Sequence, residues 1–410
     1  MGFIRPRLKR HLHATGTLDA TGHPMPRETG VAFHYGHERG VAIEDVDDAQ
    51  LLLLSLLNGE HSFTDIVERL QAHDAHITTE DVAEQLDQLA ELSLLEDIGV
   101  SPPPQLNAAD LERYAGQIRF FSILDRTGKQ RLEMQGRLKN ARVLVLGLGG
   151  LGCNVLTGLA AAGVGFIRGV DGDTVEVSNL NRQVLYDVAD IGQPKALAAA
   201  AHLRRFNPEI TFEPLIEFIE SSERIIEISD DVDLIALCAD APREIARWVN
   251  AAALATRTPF IMGGYRGMSA EVGLFVVPGK TACLGCDLSQ MSGPPPAALS
   301  WINDGLHHPT SYMTTAAAAS LTCGEIIKHL TGFATPATYN AIYTLDFESL
   351  TLTSSPQPRN PQCPVCGVVA PARRQTPIKS AKRTKSTKPA KPTRRAAKGL
   401  AATSSSSSSS

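Results

Sequence analysis

A short apolar strand that runs directly into a glycine-rich turn constrains the fold of this chain more than any other feature. The strand is predicted over residues 141–146, the turn reads GLGGLG over residues 147–152, and an Ala/Leu-rich helix follows. Glycine permits a tight turn and a close approach of the backbone to phosphate, and the free N–H groups of the helix start bind anions. The pattern predicts a nucleotide over Gly147, Gly149 and Gly152.

A second strand supplies a carboxylate at the spacing expected for a bound ribose. It is predicted over Phe166–Val170 and ends in Asp171, nineteen residues beyond Gly152. That distance suits an acid that accepts hydrogen bonds from the ribose hydroxyls of a dinucleotide. By themselves, the glycines and this acid would indicate an NAD-dependent dehydrogenase.

The polar loop after Asp171 argues against a dehydrogenase. It reads GDTVEVSNLNRQ, and a GQPK motif then ends in Lys195 before an Ala-rich helix. An Arg and a Lys on the same phosphates stabilise a departing anion, which indicates nucleotide chemistry rather than hydride transfer. The candidate binding residues of this segment are Asp173, Asn179, Arg182 and Lys195.

A third strand, predicted over Asp233–Cys238, delivers Asp240 beyond its carboxyl end. Ligands of doubly wound sheets bind at that edge, and a carboxylate is a hard oxygen ligand of the kind Mg²⁺ prefers. Asp240 is therefore a candidate ligand of catalytic Mg²⁺. The alternative is that it caps the following helix.

The length of 410 residues exceeds what one hydrophobic core usually organises, so more than one domain is expected. Strand and turn signals over residues 5–44, including Thr21-Gly22 and His37 to Gly40, precede three amphipathic helices with candidate caps at Asp48, Ser62 and Thr78. The predicted fold is α/β: a doubly wound, Rossmann-like, mostly parallel sheet after a small α+β, winged-helix-like domain. The predicted parts are residues 1–100, a Pro-rich linker over 101–107, an ATP-binding domain over 108–370 and a tail over 371–410.

Charge separates these parts and limits their partners. Residues 45–97 hold fourteen Asp or Glu and one Arg, so the helices should repel DNA, and an extended peptide added to a strand edge is the better partner. Residues 371–410 hold eleven Lys or Arg and no acid, which leaves 28 basic against 44 acidic residues upstream. This tail is expected to be disordered, either as a solvated extension or as a contact to a polyanion. No apolar stretch is long enough for a membrane span and no secretory signal is evident, so a cytoplasmic enzyme is expected.

Two cysteine pairs form the clearest metal signal in the sequence. Four thiolates in two Cys-x-x-Cys turns suit a closed, tetrahedral, structural Zn²⁺ site. The alternative is a pair of redox-active dithiols, but neither pair follows a strand in a thioredoxin-like unit. The predicted ligands are Cys283, Cys286, Cys363 and Cys366, whereas Cys153, Cys238 and Cys323 are expected to be packing residues.

In combination, these motifs resemble the ThiF/MoeB/HesA family, relatives of ubiquitin-activating enzymes. The resemblance spans about residues 108–367 and includes RY-x-x-Q at Arg113 to Gln117. It implies ATP and Mg²⁺, a homodimer, and adenylation of a carboxylate. It also implies that Asp171 holds the ribose, that Asn179, Arg182 and Lys195 hold the phosphates, and that Asp240 holds the metal.

Two departures from the family pattern shape the functional expectation. Gly116 stands where the family has an Arg that reaches the partner subunit's site, so either Arg119 or Arg126 replaces it or the contact is absent. Residues 287–320 contain no Cys, so a thioester in that loop is not expected.

The N-terminal part is similar to PqqD-like or peptide-clamp elements that bind leader peptides. The main hypothesis is adenylation of a peptide or small-protein carboxylate or amide during maturation of a ribosomally made peptide. The alternatives are adenylation of a ubiquitin-like sulfur carrier and a non-catalytic scaffold that presents peptide. The expected partner is accordingly a precursor peptide or a carrier protein, with a downstream modifying enzyme as a further candidate.

Overall fold

The computed structural model describes residues 2–16, 30–35, 39–123, 125–286 and 309–367, all of which lie in one compact unit that extends from residue 1 to 369. The expected turns at Thr21-Gly22 and around His37, most of the loop from 287 to 320, and the tail lie outside these residues.

Eleven α-helices and thirteen strands are formed by the described residues. The helices are α1 Asp48–Leu56, α2 Phe63–His73, α3 Thr79–Glu91, α4 Ala108–Arg113, α5 Ala115–Ser122, α6 Arg131–Asn140, α7 Gly150–Ala162, α8 Lys195–Phe206, α9 Ser222–Ser229, α10 Ile245–Thr256 and α11 Tyr312–Thr331. The strands are β1 Pro6–Leu8, β2 His13–Gly16, β3 Gly30–Tyr35, β4 Arg39–Glu44, β5 Leu95–Asp97, β6 Arg142–Leu146, β7 Phe166–Val170, β8 Thr211–Leu215, β9 Leu234–Leu237, β10 Phe260–Arg266, β11 Ser269–Val276, β12 Ala341–Asp346 and β13 Thr351–Pro356.

An eight-stranded sheet organises the larger part of the molecule. Its strand order is β13-β12-β11-β10-β9-β6-β7-β8. The five strands from β10 to β8 are parallel, and β11, β12 and β13 extend the sheet antiparallel. The chain leaves β6 toward β7 on one side and returns to β9 on the other, so the strand order reverses at β6. Ligands of open α/β sheets bind at such a reversal, beyond the carboxyl ends of the strands.

Both faces of the sheet are covered, which confirms the doubly wound α/β prediction. One core packs α7, α8 and α11 on the sheet through residues such as Leu156, Leu203 and Ile326. The other packs α9 and α10 on the opposite face through residues such as Ile225 and Val249. Parallel strands covered on both faces read as continuous apolar runs, which is why RVLVL was recognisable in the sequence.

The N-terminal part combines a three-stranded antiparallel sheet, order β2-β3-β4, with helices α1 to α3. Ser62 and Thr78 cap α2 and α3, each in a reciprocal capping box, as predicted. The predicted cap Asp48 is wrong: Asp47 is the N-cap of α1, and its carboxylate accepts from Gln50 N at 2.7 Å. Asp47 N in turn donates to Gln50 Oε1 at 3.1 Å, which completes a capping box at Asp47. The winged-helix assignment of this part stays a prediction.

Buried polar contacts attach the N-terminal part to the segment that precedes α6. Strands β1 and β5 pair, and Glu96 of β5 forms an ion pair with Arg131 at 3.3 Å. Lys9 is 1% exposed and donates to Asp125 O at 3.0 Å, while Arg131 donates to Asp97 O at 3.1 Å. Because these groups are removed from water, separating the two parts would leave them without partners.

Across the described residues, no helix combines the length and the apolar character that a membrane crossing requires.

Candidate active site

The glycine turn forms the floor of a cleft at the carboxyl edge of the sheet. Gly147 has φ +88°, and a Cβ there would meet Ala239, just beyond β9, at 2.9 Å. A Cβ at Gly152 would lie 1.8 Å from Gly147 O, so only glycine fits. A Cβ at Gly149 would meet nothing closer than Gln183 Nε2 at 3.9 Å. The space above Gly149, at the first turn of α7, is therefore open to a phosphate.

Asp171 fixes the turn and lines the cleft. Its Oδ2 accepts from Leu148 N at 2.7 Å and its Oδ1 accepts from Asp173 N at 2.8 Å. The buried Tyr186 hydroxyl donates to Leu148 O at 2.9 Å from the other side. A carboxylate has about four acceptor sites, so Asp171 keeps capacity for ribose hydroxyls after both backbone bonds are made.

Two cations predicted from the sequence face the same cleft. Lys195, the first residue of α8, is nearly buried, and its Nζ lies 2.8 Å from Asp173 Oδ2. Arg182 uses Nη1 to bond Ser178 O and Asn181 Oδ1, each at 3.0 Å. Its buried Nε has no hydrogen-bond partner in the described part of the chain, and neither has Gln183 Oε1. Buried polar atoms of this kind normally have partners, so these two fit a site that holds a polar ligand.

Asn179 is not among the residues that line the cleft. Its side-chain Oδ1 accepts from Glu176 N at 3.1 Å and caps the short helical turn Val177–Asn179. Its carbonyl accepts from the amides of Arg182 and Gln183. In this arrangement Asn179 shapes the loop that presents Arg182, and its contact to phosphate stays a prediction.

Asp240 lies beyond β9 in the same cleft, which has a volume of about 960 Å³. The alternative role as a helix cap does not apply, because Glu244 is the N-cap of α10. The exposed carboxylate makes no hydrogen bond or ion pair with any described residue, so its oxygens are available to a hard cation. The cleft is also lined by Phe218 and Trp248, whose flat apolar rings suit a nucleobase.

Sequence reasoning missed Tyr265 and Arg266, which line the cleft from the end of β10. Burial raises the pKa of Tyr265, while the nearby Arg182 lowers it and Asp240 raises it. The Tyr265 hydroxyl therefore lies within electrostatic reach of two predicted catalytic residues, Arg182 and Asp240. The available signal was the apolar start of β10 followed by polar residues, the same strand-end pattern that revealed Asp171 and Asp240.

The four predicted metal ligands come together beside α10. All four sulfur atoms lie within 4.8 Å of one another, with Cys283–Cys363 at 3.8 Å, Cys286–Cys283 at 4.0 Å and Cys286–Cys366 at 3.5 Å. A tetrahedral Zn–S distance of about 2.3 Å requires sulfur atoms roughly 3.8 Å apart. The geometry therefore fits a closed Zn²⁺ site.

Backbone amides support these thiols as ligands. Gly285 N lies 3.3 Å from Cys283 Sγ, and Val365 N lies 3.4 Å from Cys363 Sγ. Burial raises the pKa of Cys363, but amide and thiol hydrogen bonds outweigh it and bring the pKa to about 7. Thiolates are the metal-binding form, and these amides stabilise them.

The remaining cysteines occupy packing positions. Cys153 and Cys323 are buried, and burial raises their thiol pKa values to about 11 and about 12. Burial raises the pKa of Cys238 as well. Such thiols stay protonated near neutral pH and are poor nucleophiles, in agreement with the expectation that they pack the core.

Gly116 stands where the family has an Arg, and Arg119 and Arg126 are the two residues expected to replace that Arg. Gly116 and Arg119 are exposed on α5, and Arg126 is exposed in the following loop. Neither arginine is among the residues that line the cleft.

A doubly wound sheet with a glycine turn, a carboxylate and two cations in one cleft is the arrangement expected of a nucleotide-binding enzyme of the adenylating class. Similarity to known proteins agrees with this class. The chain belongs to the ThiF family, whose model matches residues 114–365, and it is a ThiF-like adenylyltransferase.

Relatives by sequence and by structure cover different shares of the chain. The molybdopterin-synthase adenylyltransferase of Escherichia coli is 35% identical over 57% of this chain and 90% of its own length. The sulfur carrier protein adenylyltransferase of Thermus thermophilus is 37% identical over 63% of this chain and 91% of its own length. The E. coli microcin C7 biosynthetic enzyme MccB, solved in complex with N-formylated MccA, has a TM-score of 0.70 at 24% identity and covers 89% of this chain and all of its own.

Proposed function

We propose that this enzyme adenylates a peptide during maturation of a ribosomally made, modified peptide, and that its N-terminal part binds the leader of that peptide. The observation that carries the proposal is the extent of the structural match to MccB. A match over 89% of the chain cannot be confined to residues 114–365 and the tail, so it includes most of the N-terminal part. An enzyme described as acting in microcin C7 biosynthesis therefore shares both parts of this fold.

The cleft supports a mechanism of in-line attack by a substrate oxygen on the α-phosphate. Asp171 binds the ribose hydroxyls, the turn at Gly149 and the start of α7 receive the phosphates, and Phe218 and Trp248 contact the base. Arg182 and Lys195 stabilise the charge that moves onto the departing pyrophosphate. Asp240 would hold Mg²⁺, and the bound ion would neutralise further negative charge. No protein nucleophile is needed.

The N-terminal part offers edge strands for the leader. In the three-stranded sheet, β2 and β4 each pair with β3 alone among the described strands. An extended peptide that adds to such an edge gains main-chain hydrogen bonds, while side-chain pockets give specificity. The acidic helices beside the sheet favour a basic or apolar leader over nucleic acid.

The proposed assembly is a homodimer with structural Zn²⁺ bound by the four cysteines. Arg119 and Arg126 are exposed and are absent from the cleft of their own chain, so they are the candidates to serve the cleft of a second copy. A closed site of four thiolates leaves no open coordination position, so the zinc is assigned to stability.

The second candidate function is adenylation of a ubiquitin-like sulfur carrier. It is favoured by the sequence relatives, which include molybdopterin-synthase and sulfur carrier protein adenylyltransferases at 35% and 37% identity. Both functions use the same cleft. They differ in whether the substrate engages residues 1–100.

One experiment distinguishes the two functions. Full-length enzyme is incubated with Mg²⁺ and ATP labelled at the α-phosphate, together with a candidate substrate encoded near its gene. The two candidates are a short precursor peptide and a small protein that ends in Gly-Gly. The proposal expects AMP transfer to the peptide. It also expects binding of a fluorescent leader with a Kd in the micromolar range or below, about −8 kcal/mol or better. Transfer to the Gly-Gly protein alone, or tight binding of a labelled DNA duplex without binding of the leader, would contradict it.

A further inference from the structure

The end of strand β10 lines one side of the cleft. Its last residue paired with β9 is Met262, opposite Leu237. Four more residues, Gly263 to Arg266, continue beyond that point and pair only with β11, ending at Arg266 opposite Ser269. Four strand residues span about 13 Å. The hairpin therefore projects past the end of β9, next to Asp240.

The end of β10 also lies close to two of the predicted catalytic residues. Tyr265 is within electrostatic reach of Arg182 and Asp240, and it is the residue before Arg266. Gly264 lines the cleft, and a Cβ there would meet no atom within 4 Å. A substrate chain can approach the backbone here without displacing a side chain.

Arg266 supplies an uncommitted positive charge at this point. The side chain is exposed, lines the cleft, and makes no hydrogen bond or ion pair with any residue that the structure describes. Lys195, by contrast, is paired with Asp173, and Arg182 is bonded to its own loop. Of these three cations, only Arg266 has a guanidinium group with no hydrogen bond to a described residue. A planar guanidinium group can bind a carboxylate through two parallel hydrogen bonds.

The order of the strands separates Arg266 from the nucleotide groups. Along the carboxyl edge, β7 presents Asp171, β6 presents the glycine turn, β9 presents Asp240 and β10 presents Arg266. Three interstrand spacings, about 14 Å in total, therefore separate β10 from β7, the strand that presents Asp171. Lys195 is held by Asp173 on the β7 side. In an in-line displacement the attacking oxygen and the leaving group lie on opposite sides of phosphorus.

We propose that Arg266 binds and orients the substrate carboxylate as one of its oxygens attacks the α-phosphate of ATP. The inference rests on the proposed adenylation and adds the residue that holds the attacking group. A new P–O bond forms to the carboxylate, the bond from the α-phosphorus to the bridging oxygen breaks, and pyrophosphate leaves with the electron pair. The carboxylate is already ionised, so no proton has to be transferred. The products are an acyl adenylate and pyrophosphate.

The test uses the zinc-loaded, full-length protein with α,β-methylene ATP and a pool of short N-acetylated peptides that end in each standard amino acid. Every peptide is present both as the free acid and as the C-terminal amide, and retained peptides are identified by mass spectrometry. Wild type should retain acids over the matching amides by about 10- to 100-fold, the value of a hydrogen bond to a charged group. Arg266→Gln should lose this preference and bind the ATP analogue with unchanged affinity.

Arg243→Gln is the matched control, because Arg243 is exposed near the cleft but does not line it. It should keep the wild-type preference. The assignment of Arg266 is overturned if Arg266→Gln selects acids as wild type does, if wild type shows no preference for acids, or if Arg266→Gln instead weakens binding of the ATP analogue. Failure of wild type to bind the ATP analogue at all would instead contradict the proposed function.

Discussion

At the scale of single residues, three glycines of the turn, Gly147, Gly149 and Gly152, have different roles. Gly147 adopts a positive φ and contacts the backbone beyond β9, and Gly152 lies against Gly147 O. Gly149 has φ −75°, which any residue adopts, and open space where a Cβ would point. The fold requires the first two, whereas no contact within the protein requires glycine at position 149, and we attribute it to the proposed phosphate site.

This difference predicts that Gly149→Ala folds normally but binds ATP more weakly. The added methyl group occupies the phosphate position without touching the protein, so the melting temperature should be unchanged. Affinity measured by calorimetry should fall about 10- to 100-fold, the cost of one lost hydrogen bond to a charged group. Gly152→Ala, with a clash at 1.8 Å, should fail to give folded protein. Wild-type ATP affinity in Gly149→Ala would show that phosphate does not bind at this glycine.

Much of the site could be predicted because its residues lie in local motifs. Asp171 and Asp240 each follow an apolar strand, and Lys195 opens a helix. Tyr265 and Arg266 follow the apolar start of β10, but they were missed because their place at the cleft depends on the pairing of β10 with β9, a long-range contact. Asn179 was assigned to phosphate through its motif, whereas its side chain caps a turn of its own loop.

At the scale of elements, predictions of helix and strand features were confirmed where the sequence signal lies within a few consecutive residues. The capping boxes of α2 and α3 each lie within four residues, and both were located correctly. The antiparallel extension β11 to β13 was not predicted, since its register depends on partners far along the chain. The cysteine pairs were recognisable although they are 80 residues apart, because each pair carries its own spacing signal.

The cysteine cluster predicts one Zn²⁺ per chain by metal analysis of unchelated protein. Zinc binding is coupled to folding, so Cys283→Ser should lose the metal and reduce thermal stability more than it changes ATP affinity. Cys323→Ala removes another buried thiol and should retain one zinc. Native protein without zinc, or Cys283→Ser with a full complement of zinc, would contradict the assignment.

The attachment of the N-terminal part predicts a pH dependence of stability. Burial lowers the pKa of Lys9 from 10.5 to about 8, against opposing effects of Asp125 and Glu96. Between these values the unfolded chain binds more protons than the folded chain, so the free energy of unfolding gains a rising contribution from pH 8 to 10.5. Lys9→Met should lack this contribution. Urea unfolding of both proteins at several pH values measures it, and parallel curves would show that Lys9 does not titrate as proposed.

At the scale of the whole molecule, the proposed function needs both the cleft and an N-terminal part that binds the substrate peptide. Residues 1–370 carry 28 basic and 44 acidic residues, so the body is acidic, which agrees with the proposal of a peptide rather than a nucleic acid as partner. Because Lys9, Glu96 and Arg131 are buried where the parts meet, the N-terminal part is held in a defined position. A leader bound there keeps the reacting end of the peptide at high local concentration near the cleft.

Substrate-dependent exchange of labelled pyrophosphate into ATP tests the central claim most directly, since it detects reversible adenylation whatever happens to the product afterwards. We expect exchange by wild type that requires Mg²⁺ and the precursor peptide. Lys195→Ala and Arg182→Ala should reduce the rate by about 10²- to 10³-fold without unfolding, because both cations stabilise charge on the departing group. Arg204→Ala, on the same helix as Lys195 but exposed and outside the cleft, should exchange at the wild-type rate. Wild-type exchange in Lys195→Ala and Arg182→Ala, or a wild-type rate that no peptide increases, would contradict the account.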